Sequence, residues 1–96
     1  MENFRKDAIK IFKALSDPIR YEMIKMLVSG EKSCGDFNKS FKLSKSGMSH
    51  HYRILENAGL VNMRKEGLHA YFTLDKERLE KFIPDFSKVH LHNFFN

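Results

Sequence analysis

The chain has 96 residues, room for one domain and not for two. Its 17 Lys and Arg against 12 Asp and Glu give a formal charge of +5, a balance that favours polyanions, nucleic acid first and an acidic membrane surface second. A single cysteine, Cys34, excludes an intrachain disulfide, and the charged MENFRKDAIKIF opening does not read as a secretory leader.

Phe4, Ala8, Ile11, Phe12 and Leu15 recur at helical spacing and predict a first amphipathic helix over residues 4–15. Ser16-Asp17-Pro18 stops it and starts a second, with Asp17 as cap and Pro18 at the first helical position, where its missing N–H is not needed. Ile19, Met23, Met26 and Leu27 form the inner stripe of this helix, and Gly30 stands where a left-handed C-cap would end it. Ser33-Cys34-Gly35-Asp36 has the form of a capping box opening a short third helix that runs to about Phe41, with Phe37 and Phe41 inward.

After a turn at Lys42-Leu43, Ser44 caps a fourth helix from Lys45 to about Asn57, with Met48, Tyr52 and Leu55 facing the core. The period then changes. Val61 and Met63 alternate with polar neighbours, as do Leu68, Ala70, Phe72 and Leu74, and Lys65-Glu66-Gly67 lies between, so the two runs predict a hairpin. Asp75 caps a last helical region carrying Leu79, Phe82, Ile83, Phe86 and Val89, with a kink or break expected at Pro84. The predicted fold is mainly α with a small β-hairpin, in the order α-α-α-α-β-β-α. A hairpin directly after a tight helix pair is the winged helix-turn-helix arrangement.

No apolar run approaches the roughly 20 residues needed to cross a bilayer, and the chain is expected to be cytoplasmic, with no membrane partner. Yet 42% of it is apolar and 12% aromatic, including nine Phe. A core of this size cannot absorb all of that surface. The surplus reads as a surface for a partner, most simply a second copy of the chain.

If Met48, Tyr52 and Leu55 face inward, the other side of their helix shows Lys45, Ser46, Ser49, His50 and Arg53. Short hydroxyl side chains permit close approach, and an imidazole and cations supply donors for base edges and phosphates; a helix in the DNA major groove needs that mixture. Gly47 keeps the start of the helix slim. The hairpin adds Arg64, Lys65 and His69. Between residues 42 and 69, Lys42, Lys45, Arg53, Arg64 and Lys65 oppose Glu56 and Glu66, a local excess of three positive charges. The plainer alternative is a solvated face of an ordinary helical domain. His51, about 100° from His50 on a helix, reads as a packing or hydrogen-bonding residue behind that face.

The runs IFKALSDPIRYEMIKML and SKSGMSHHYRILENAGLVNMRKEGLHAYF resemble the ArsR/SmtB family of bacterial winged-helix repressors over residues 8–75. The resemblance implies a homodimeric repressor on a palindromic double-stranded DNA operator, with residues 1–96 as one domain and 4–15 and 76–95 as dimerisation helices. It places Lys45, Ser46, Ser49, His50 and Arg53 on the recognition helix and Arg64, Lys65 and His69 on the wing. It implies no enzyme activity, and no phosphate loop or nucleophile with a convergent base is present to suggest one. A winged helix that binds protein instead would show a less cationic face, and the LHNFF end is too weakly basic for a membrane-surface helix.

Many members of that family sense metals. The Cys-x-Cys positions are Ser33 and Gly35 here, with Cys34 between them, and one thiolate cannot build that site. Asp85, His90 and His92 occupy the region of the second family site with the wrong spacing, and read as surface or interface residues. No cofactor and no metal is expected. The effector is unassigned: a metal at Asp85/His90/His92, an oxidant at Cys34, a small molecule, or none.

Overall fold

The computed structural model describes residues 2–91, in which the elements follow as α1 (Glu2–Leu15), α2 (Pro18–Val28), β1 (Lys32–Ser33), α3 (Cys34–Ser40), α4 (Lys45–Asn57), β2 (Val61–Glu66), β3 (His69–Leu74), α5 (Lys76–Phe82) and α6 (Phe86–Leu91). The helix-turn-helix is α3 and α4; the wing is β2 and β3. The short β1 pairs with β3 through Lys32↔Phe72 and Ser33↔Tyr71, making a three-stranded antiparallel sheet in the order β1-β3-β2. Two residues have no period to read, so this strand was not expected.

Local chemistry places the helix ends. Asp17 accepts from the Ile19 and Arg20 amides at 2.9 and 3.1 Å. Ser33 and Asp36 exchange both bonds of the capping box, Ser44 accepts from Gly47 at 3.0 Å, and Asp75 accepts from Arg78 at 3.0 Å. Helix α2 ends one residue before the expected cap: Ser29 is the C-cap, and Gly30 follows at φ 142°, well away from the left-handed helical region. The expected break at Pro84 is present, and Asp85 turns the chain into α6 at φ 65°.

The core is built from Ile11 and Ala14 of α1, Met23, Ile24, Leu27 and Val28 of α2, Phe37 of α3, Met48 and Leu55 of α4, then Leu60, Val61, Phe72, Leu79 and Phe86. Each large side chain among them contributes about 1.5–3 kcal/mol by leaving water. The apolar stripe of α1 is not wholly covered: Ile11 is fully buried, whereas Phe4 and Phe12 are 48% and 53% exposed.

Helix α4 closes in a Schellman motif, with the Leu60 amide on the Leu55 carbonyl at 3.1 Å and Gly59 on Glu56 at 2.9 Å. Gly59 sits at φ 76°, and a Cβ there would lie 2.4 Å from Nε of Arg78. The wing turns at Gly67-Leu68, between the paired Glu66 and His69. Gly67, at φ 64°, supplies the positive angle that a two-residue turn needs at its first position. Alternation groups Leu68 with Ala70, Phe72 and Leu74. It lies instead in the turn and is fully exposed, because the chain reverses there and the period does not carry through.

Candidate nucleic-acid interface

An aromatic cluster fixes α4 between α3 and the wing. The Phe37 ring of α3 lies 6.0 Å from Tyr52 and 5.9 Å from Phe72, and Tyr52 stacks on Phe72 at 4.1 Å. Met48 and Leu55 are buried on the same side. The helix is thereby held by three turns of its inner face. The five side chains expected on its outer face, Lys45, Ser46, Ser49, His50 and Arg53, are all exposed.

On the wing, Arg64, Lys65 and His69 are also exposed. Lys45, Ser49 and Arg53 meet Lys65 and His69 across an open cleft of about 770 Å³ between α4 and the hairpin. Ser46, His50 and Arg64 lie outside it. The Ser46 hydroxyl is 3.3 Å from that of the cap residue Ser44. Asn38 of α3, which sequence reasoning treated only as part of a supporting helix, also lines the cleft. Gly47 has a local role beyond slimness, because a Cβ on it would stand 3.2 Å from the capping Ser44 oxygen.

Arg64 differs from its neighbours. Its Nε and Nη2 donate to the two oxygens of Glu31 at 3.2 and 2.9 Å, Nη1 donates to Glu66, and the guanidinium lies over the Tyr71 ring at 4.5 Å. Glu31 precedes β1, so this arginine ties the wing to the start of β1. Lys65 makes no ion pair with the described residues.

His51 lies behind the outer face, as expected, with Nδ1 3.2 Å from Nη1 of Arg20 and 4.0 Å from Asp17. Burial holds its imidazole below the ordinary histidine range; Asp17 opposes that shift, while Arg20 and His50 add to it.

A fold with exposed cations and hydroxyls on a capped helix beside a basic hairpin can be compared with known proteins. The family profile described as "Bacterial regulatory protein, arsR family" matches residues 17–63. The chain is 34% identical over 73 residues to the transcriptional repressor SdpR of Bacillus subtilis, covering 76% of this chain and 81% of that protein. The chain belongs to the ArsR family. It is also 37% identical over 87 residues to the cadmium resistance transcriptional regulatory protein CadC homolog of Staphylococcus aureus, covering 90% of this chain and 69% of the relative. The solved structure of HlyU from Vibrio cholerae superposes with a TM-score of 0.79 at 29% identity, over 96% of this chain and all of that one. This ArsR-family chain is therefore a transcription regulator with a DNA-binding helix-turn-helix, in a group that is not enzymatic.

The thiolate site that the family resemblance implies does not fit the residues at the start of α3. There, Ser33 is occupied in the capping box, Gly35 has no side chain, and the half-buried Cys34 is one thiol. In α6, His90 Nε2 bonds the Tyr21 hydroxyl and the ring stacks on Phe86 at 4.2 Å, so this histidine packs α6 on α2. His92 lies outside the described residues. Among the described residues, no helix is long and apolar enough to cross a membrane.

Proposed function

We propose that the chain is a cytoplasmic homodimeric repressor that binds a palindromic operator in double-stranded DNA. The observation carrying this reading is that Met48 and Leu55 are buried while Lys45, Ser46, Ser49, His50 and Arg53 on the same helix are exposed. In this reading the helix enters the major groove. Lys45, Arg53 and Lys65 hold phosphates, Ser49 and His50 choose bases, and Ser46, Arg64 and His69 complete the contact surface. Two such helices in a dimer span about one DNA turn, roughly 34 Å.

Dimerisation through residues 4–15 and 76–95 is supported by the apolar side chains left outside: Phe4, Ile9 and Phe12 on α1 and Val89 on α6, the last 62% exposed. Residues 92–95 of that expected surface lie outside the described residues. Repression is favoured by the name of SdpR, although a curated HlyU relative is named a transcriptional activator.

Selection of bound duplexes from a random pool, repeated with zinc and with oxidant, tests the reading and identifies the class of effector. With about six phosphates neutralised per dimer, log affinity should fall against log salt with a slope near −5. Arg53→Ala should weaken all duplexes alike, and Ser49→Ala should change preference between sequences. A slope near zero on the selected duplex would overturn the proposal.

A further inference from the structure

Arg20 joins three helices. Its Nε donates at 2.7 Å to the Ala14 carbonyl, which Pro18 cannot serve for want of an N–H, and its Nη2 lies 3.4 Å from the Lys13 carbonyl, which also accepts from the Ser16 amide and hydroxyl. Its Nη1 lies 3.2 Å from Nδ1 of His51, in the middle of α4. A guanidinium can only donate, so Nδ1 must carry the lone pair and His51 must be the neutral tautomer with its proton on Nε2. Asp17 approaches the same nitrogen at 4.0 Å through Oδ2, the oxygen that also accepts from the amides of Ile19 and Arg20 at the start of α2. The charged and titratable groups facing His51 are thus Asp17 and Arg20, with His50 beside it on α4 at 5.6 Å between rings.

We propose that Arg20, acting through His51, is a positioning residue for DNA binding: it locks α4 onto the end of α1, and protonation of His51 releases the lock. The inference rests on the reading of α4 as the recognition helix. Helix α1 leads to the proposed dimer surface and His50 is a proposed base contact, so the Arg20 bridge sets how one is presented relative to the other. A protonated Nδ1–H would meet the guanidinium donor to donor. Its nearest acceptor, Oδ2 of Asp17, stands 4.0 Å away, beyond hydrogen-bonding distance, and already accepts from two amides of the α2 cap. Burial favours the neutral ring and keeps the lock closed at neutral pH.

The test measures affinity for the selected operator duplex and for an unrelated duplex at pH 7.5 and 5.5, with circular dichroism melts under each condition. Arg20→Lys keeps the charge but loses the fork that reaches two carbonyls and an imidazole. It should lose about tenfold on the operator, the worth of one charge-assisted hydrogen bond, and little on the unrelated duplex. His51→Gln retains an acceptor for Arg20 and cannot be protonated. It should match wild type at pH 7.5 and bind the operator several-fold better than wild type at pH 5.5. His50 and His69 are present in both proteins and cancel from that ratio. Equal behaviour of wild type and His51→Gln at both pH values, or equal losses on both duplexes for Arg20→Lys, would overturn the inference while leaving the DNA-binding reading intact. A wild type that prefers no duplex would overturn both.

Discussion

Tyr52 of α4 stacks on Phe72 of the wing with ring centroids 4.1 Å apart and planes 26° from parallel. That contact holds two surfaces, distant in sequence, in one orientation. The Tyr52 hydroxyl is buried beside the Cys34 thiol with no hydrogen bond of ordinary geometry, and burial, with the neighbouring thiol adding, pushes the phenol well above the ordinary tyrosine range.

The ring, and not the hydroxyl, therefore carries the contact. Phe72→Ala should cost about 3–5 kcal/mol in urea denaturation through a cavity beneath the sheet. Tyr52→Phe removes an unpaired buried hydroxyl and should be neutral or stabilising by up to about 1 kcal/mol. A loss above that size for Tyr52→Phe would mean that the hydroxyl has a partner.

Gly59 serves two functions at the end of α4. Its φ of 76° suits the Schellman cap, and its missing side chain lets Arg78 reach the Ala58 carbonyl with Nε at 2.9 Å. Gly59→Ala should cost about 1–3 kcal/mol, from left-handed strain and displacement of Arg78. Combining it with Arg78→Ala should recover part of that loss in a double-mutant cycle. Strict additivity of the two changes would show that the close approach is not the cause.

The caps at Asp17, Ser33, Ser44 and Asp75 were legible in the sequence because capping is chemistry between residues two or three apart. The inner face of α4 was legible because Met48, Tyr52 and Leu55 share one helical face. What escaped depended on distance along the chain or on a single-residue register. Strand β1 exists by pairing with Tyr71 and Phe72; Arg64 is held by Glu31, 33 residues away; and Leu68 changed sides where the hairpin reversed. Periodicity marked α1 as amphipathic but did not divide Ile11, turned inward, from Phe4 and Phe12, left outside.

Stability should fall with acid in two stages. Burial lowers the pKa of His51, with Asp17 opposing, and burial lowers that of His90, with Lys25 adding and Glu22 opposing. Below the ordinary histidine value of about 6.5 the unfolded chain binds more protons than the folded one. This contribution is complete above that pH and is lost as pH falls toward the folded values. Burial would raise Asp17, but the Arg20 amide and the Arg20 and His51 charges outweigh it; the Ser33 amide and hydroxyl lower Asp36. Their contribution is complete above about pH 3.9, the ordinary aspartate value, and is lost below it. Denaturation midpoints at pH 7.5, 5.5 and 3.5 should therefore decline at each step. Replacing His51 and His90 together with Gln should flatten the first step only, and a first step that persists in that variant would assign it to other groups.

The wing cations should contribute unequally to DNA affinity, although both were expected to face the duplex. Lys65 is exposed at the edge of the cleft, whereas Arg64 is neutralised by Glu31 and Glu66 and covered on one face by Tyr71. A phosphate must compete with two carboxylates for Arg64 but only with water for Lys65. Lys65→Ala should reduce the salt slope by about one for each site removed, and Arg64→Ala by much less. Glu31→Gln removes the competing charge while leaving an amide oxygen for the guanidinium, so it should tighten binding and steepen the slope. Because these pairs lie at the surface, the change in folding stability should be within about 1 kcal/mol. Equal slopes for Arg64→Ala and Lys65→Ala, with no gain from Glu31→Gln, would show that Arg64 leaves its carboxylates when DNA arrives.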